Sequence, residues 1–178
     1  MTTALRAGRC AVDEPLEDAA RAAAEHAASG LRPPARALCD LTLRTTQTAR
    51  ALGLDPISEP ALADLGLGVW AGHALTDIPG EQLTAWTSNP SSAPHGGESI
   101  LGLVDRVRGW LDTAAELPGR TIAITHPAVI RAALIVALNA SPASFWRIDV
   151  PPLTATTLHA QARGWTLRYT CLPLRGAD

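Results

Sequence analysis

Lysine is absent from this chain of 178 residues, so all 15 basic residues are arginine. With abundant alanine and proline, that absence points to a GC-rich genome and carries no chemistry by itself. Cysteine is scarce as well. Cys10, Cys39 and Cys171 stand far apart in no paired spacing, which excludes a metal knuckle or a redox pair and leaves buried or free thiols of a reducing cytosol. Long apolar runs are missing too. None reaches the roughly 18 residues of a membrane span, and the first residues hold no apolar stretch of signal-peptide length. A cytoplasmic protein without a membrane partner is expected. A surplus of one charge sign is also lacking, since the net charge is -2. Nothing then draws the whole molecule to nucleic acid, and affinity for an anion must come from a local pocket. Clustered metal ligands and dinucleotide glycine patterns are both absent, so no metal or organic cofactor is implied.

What is present suits a single domain over residues 1–178. Hydrophobic residues make up 47% of the chain and charged residues 18%, enough apolar material for a sizeable core. Asp13-Glu14-Pro15 reads as a helix start, with acids and proline in the first turn. The alanine-rich run 16–29 continues as helix until Gly30 stops it. Residues 35–41 read as a buried strand, 44–52 as a helix ending at Gly53, and 59–67 as extended or irregular. A short helix around 81–87 lies within the loop-rich stretch 66–97. Ile100, Leu103, Val104, Val107, Leu111 and Ala114 recur at three- and four-residue steps, the mark of an amphipathic helix. Residues 121–125 form a strand, 127–138 an apolar helix and 141–146 a helical turn. Residues 153–161 and 165–171 make a hairpin at a sheet edge. Strands alternating with helices give an α/β fold, a mostly parallel sheet in three layers.

Four segments carry candidate chemistry. His126 follows an apolar strand and precedes a helix opened by Pro127. Ligands bind beyond the carboxyl ends of such strands, and a helix start offers N–H donors to an anion. A satisfied structural histidine is the alternative. Arg44 falls at a similar strand-to-helix junction, where its planar fork suits phosphate or carboxylate, although a surface arginine is the plainer reading. Asp64 is an isolated acid among apolar residues, either a loop acid or a proton donor. His95-Gly96-Gly97-Glu98-Ser99 opens the amphipathic helix, so capping alone accounts for Glu98 and Ser99.

In order and spacing these segments resemble the histidine phosphatases, the phosphoglycerate-mutase-like family. Asp13-Glu14-Pro15-Leu16 is similar to its D-x-P-L element. Leu43 to Ala49 resembles the R-A-x-Q-T-A element, with Arg44 on the phosphate-binding arginine. Asp64 precedes Gly68-Val69-Trp70-Ala71-Gly72 as the family's acid does, though glutamate is more usual there. Gly97-Glu98-Ser99 resembles the P-x-G-E-S loop. Thr125-His126 matches the second histidine, with Pro127 in place of glycine. The resemblance spans roughly residues 8–160. It implies that Arg44 and His126 hold phosphate and that Asp64 serves as general acid or base. His73, His95, Glu98 and Ser99 become possible substrate contacts. The implied partner is phosphate or a phosphorylated small molecule, with no metal and no cofactor.

The family's nucleophile, the histidine of an N-terminal R-H-G, has no counterpart here. Either Arg6-Ala7-Gly8 is a degenerate form of it, or the segment and its central strand lie outside the sequence. Ala7 stands only six residues before Asp13, too close for the family spacing, and Gly8-Arg9-Cys10 fits a later element better. The second reading is therefore favoured. It leaves an enzyme completed upstream of Met1, a phosphomonoester hydrolase weak or inactive as given. A pseudo-phosphatase that binds anions or scaffolds is the alternative.

Losing a central strand exposes ladder groups on its neighbours, expected to be 35–41 and 121–125. Each unpaired buried group costs about 1–3 kcal/mol, against a whole-domain stability of about 5–15 kcal/mol. The 178-residue chain should be marginal as a monomer. A soluble product with a cooperative thermal transition would count against this.

Overall fold

The computed structural model describes residues 1–174. Its sheet is parallel and small. Strand β1 (Arg36–Cys39) lies between β2 (Ile57–Ser58) and β3 (Thr121–Ile124), in the order β2-β1-β3. Leu38 pairs with Ile57 on one side and Ala123 on the other, which fixes the register. Strands β4 (Thr154–Gln161) and β5 (Gly164–Pro173) form a separate antiparallel pair.

Alternation along β1 and β3 builds the layers. Leu38 and Ala123 face the main core, with α5 (Ile100–Ala115) and α6 (Pro127–Leu138). Cys39, Ile122 and Ile124 face the other way, onto Ala49 of α3 (Leu43–Ala51). Helix α2 (Asp18–Ala27) follows the short α1 (Thr3–Arg6) and packs outside α3 through Ala24, Ala27 and Leu52, and α4 (Gly80–Ser88) precedes α5. The result is a parallel sheet flanked by helices on both faces. The expected stripe of α5 is buried at Ile100, Leu103, Val104, Val107 and Leu111. Helix α6 ends where expected, with Asn139 as a left-handed cap. All five tryptophans belong to or pack against the main core.

Three expectations need correction. Asp13 and Glu14 do not start a helix. Each accepts a distant backbone N–H instead, from Leu43 and Ala4, and α2 begins at Asp18. The hairpin is not joined to the parallel sheet. The strands expected to lose partners turn out to be neighbours. β1 is paired on both edges, and of these two strands it is β3 that has an edge without a strand among the described residues.

Before α5, two loops meet backbone to backbone. Val69 donates to the His95 carbonyl at 3.0 Å and Glu98 to that of Gly66 at 2.8 Å. A Cβ on Gly97 would fall 2.0 Å from the Gly66 oxygen, and one on Gly68 equally close to the His95 oxygen. Neither position has room for a side chain. Gly97→Ala should cost about 1–3 kcal/mol by forcing the loops apart. Gly109→Ala, in open space on helix α5, should stabilise by about 0.5–1 kcal/mol. Chemical denaturation of both variants checks the contrast.

Candidate active site

Arg44, Asp64 and His126 converge. Arg44 sits in the first turn of α3, just beyond β1, and His126 immediately precedes α6, just beyond β3. Because β1 and β3 are adjacent and parallel, their carboxyl ends bring the two side chains together. Arg44 Nε donates to His126 Nδ1 at 3.1 Å, and its Nη2 donates to Asp64 Oδ2 at 2.8 Å. Its Nη1 donates to the Val12 carbonyl at 2.7 Å. Asp64 Oδ2 lies 3.5 Å from His126 Nδ1.

The loop carrying Asp64 is held from beneath. Arg106 of α5 donates to the carbonyls of Ala61, Ala63 and Asp64, and it pairs with Glu98 at 2.7 Å. Thr125 Oγ1 donates to the Leu62 carbonyl at 2.7 Å, tying the end of β3 to the same loop.

A fourth group completes the cluster, and motif spacing did not single it out. Asp40, at the carboxyl end of β1, is only 2% exposed, and its Oδ2 lies 2.9 Å from His126 Nε2. Its Oδ1 accepts the hydroxyls of Thr42, at 2.9 Å, and Thr45. The rule that drew attention to His126, position beyond the end of a parallel strand, applies equally to Asp40. Burial alone would raise its carboxyl, but the His126 ring and the two threonines outweigh that. They hold it down to about 2 from an ordinary 3.8.

The other candidates lie apart from the cluster. His95 has no exposed surface; its ring packs edge-on against Trp70 and Trp86, and burial pushes its imidazole pKa down. A substrate contact there is corrected to a core role. Glu98 is engaged by Arg106, and Ser99 caps α5 through Gly102 N. The backbone of His73 bonds Cys10 and Trp70. Arg131 of α6 stacks over Phe145 and Trp146 and donates to the Ile148 carbonyl.

A cleft of about 320 Å³, lined by Asp13, Asp40, Leu41, Thr42, Pro60 and Ala63, opens beside the cluster. A larger one of about 600 Å³ lies by the amino end of β1 and contains none of the four groups. Chemistry, not size, selects the smaller. Among the described residues no group of three or more metal-binding side chains occurs, and no helix is long and apolar enough to cross a membrane.

The family model of the histidine phosphatase superfamily (branch 1) matches residues 3–172. The chain belongs to that superfamily. Comparison with curated proteins gives no match. Among solved structures, it is similar to a mycobacterial glucosyl-3-phosphoglycerate phosphatase in complex with VO3, at 25% identity and TM-score 0.83. That match covers 97% of this chain and 94% of the other. A Thermus thermophilus protein is 28% identical, with TM-score 0.71 and coverage of 88% and 86%. A putative α-ribazole-5′-phosphate phosphatase of Escherichia coli shares the fold at 20% identity and TM-score 0.85, covering 99% and 94%.

In this superfamily member Asp40 links the site to stability. Its folded value lies below the unfolded one, so its carboxylate stabilises the fold fully above about pH 4. That contribution, on the order of 2 kcal/mol, is lost as pH falls through about 2. Denaturation across this range should show the gap between the parent chain and Asp40→Asn closing toward acid. A gap independent of pH would contradict the assignment.

Proposed function

We propose that this protein is of the phosphomonoester hydrolase type, acting on a phosphorylated small molecule in the cytoplasm. The observation that carries this is the convergence of Arg44, Asp64 and His126 at the carboxyl ends of adjacent parallel strands. Arg44 and His126 hold the phosphoryl oxygens, and Asp64 exchanges the proton of the leaving oxygen. The mycobacterial relative's complex with VO3 supports an oxyanion as the ligand. No metal or organic cofactor is needed for these roles.

Phosphoryl transfer of this type requires a nucleophilic histidine. Of the five histidines here, only His126 takes part in the cluster. The enzyme reading therefore needs a nucleophile from outside this cluster, and the outer edge of β3, which has no strand among the described residues, is open to one. As given, the chain is expected to be weak or inactive.

One observation favours the alternative, a pseudo-phosphatase that binds anions. Each of the three guanidinium nitrogens of Arg44 has an internal partner, with Asp64 on Nη2. A site kept for binding needs nothing more than release of that carboxylate.

Translation of the DNA upstream of Met1 separates the two readings. An in-frame apolar strand ending in Arg-His-Gly, with hydrolysis of p-nitrophenyl phosphate by the longer protein, supports the enzyme; an immediate stop codon supports the pseudo-phosphatase. For either, Arg44→Ala and His126→Ala should each weaken inorganic phosphate binding by on the order of tenfold or more, the loss of a charge-assisted hydrogen bond. Asp64→Asn should tighten it by removing the internal competitor, while lowering turnover in the longer protein. Unchanged affinity in all three variants would remove the site assignment.

A further inference from the structure

A guanidinium has donors only, so His126 Nδ1, which receives Arg44 Nε–H at 3.1 Å, presents a lone pair. The ring proton therefore lies on Nε2, directed at Asp40 Oδ2 2.9 Å away. In that state neither ring nitrogen can donate to an entering oxyanion. Holding one requires a second proton, on Nδ1.

We propose that Asp40 is a positioning residue that lets His126 take up this proton, so that oxyanion binding by this chain is coupled to proton uptake. The proposal rests on the oxyanion-site reading of Arg44 and His126 given above. A buried imidazolium is costly without a compensating charge. Asp40 supplies that charge from a fixed position, its Oδ1 held by the hydroxyls of Thr42 and Thr45 and its Oδ2 facing only the ring. The other charged groups around His126 are Arg44, which opposes protonation, and Asp64, whose Oδ2 at 3.5 Å favours it. The pKa of Arg131 on α6 is pulled down by its burial, against the opposing charges of Asp149 and Asp64.

As a tetrahedral dianion enters, it replaces Asp64 on Arg44 Nη2 and takes Arg44 Nε away from the ring. His126 Nδ1, its lone pair released, accepts one proton from solvent and donates it toward the anion. Nε2–H stays on Asp40 throughout. No covalent bond other than this N–H is made or broken. An amide at position 40 would preserve the hydrogen bond and lose the charge, so the two functions can be separated.

The probe is sulfate, a full dianion across the neutral range, so any proton gained belongs to the protein. Calorimetric titration in buffers of different ionisation enthalpy should show proton uptake approaching about one per sulfate in the parent chain. Asp40→Asn should lose most of that uptake and bind on the order of tenfold more weakly. In ¹⁵N NMR, His126 of the free parent chain should carry its proton on Nε2 alone, and on both nitrogens with sulfate bound. Sulfate binding without proton uptake, equal uptake in Asp40→Asn, or a free ring protonated on Nδ1 overturns the proposal while leaving the oxyanion site standing. No sulfate binding by the parent chain overturns both.

Discussion

A buried guanidinium has to place its donors on oxygen or nitrogen, and in this protein Arg44 does so by gripping three separate parts of the chain. It reaches the Asp64 loop, the His126 ring and the Val12 segment at once. Removing one partner of such a buried charge leaves another uncompensated, which is why the cluster holds together. On the proposed reading Asp64 stands in for a ligand: its carboxylate accepts from Arg44 as a phosphoryl oxygen would, and an anion would enter by exchange with it.

The fold exists to bring these groups to one place. Parallel pairing of β1 with β3 sets Asp40 and Arg44 beside His126, because both strands end at the same level. Helices α3 and α6 begin there, each turning the positive end of its dipole toward the cluster. Arg106 then fixes the third component. It bridges Glu98 and three carbonyls of the Asp64 loop, while Gly68 and Gly97 let the flanking loops touch without side chains between them. Glu98 thus supports the site through Arg106.

Arg44 and His126 were legible because strand-to-helix junctions leave a periodicity signal, apolar runs broken by a polar residue. Asp64 was legible through its spacing to the glycines. Asp40 carried the same positional signal but stood inside the run read as strand 35–41, so it passed as part of the core edge. The helix start at Asp13 failed for a different reason. Its acids are drawn to Leu43 N and Ala4 N, long-range contacts that local propensity does not register. His95 looked accessible because its neighbours are glycines and prolines, but Trp70 and Trp86 enclose it. Strand pairing was likewise hidden, since the order β2-β1-β3 depends on which edges helices leave open rather than on any one residue.

A crystal structure of the chain grown with vanadate is the most direct test. The expected result is a vanadate within hydrogen-bond distance of Arg44 and His126, with the Asp64 carboxylate displaced from the Arg44 fork and Asp40 still on His126 Nε2. A vanadate bound elsewhere while the Arg44–Asp64 contact remains intact would contradict the account.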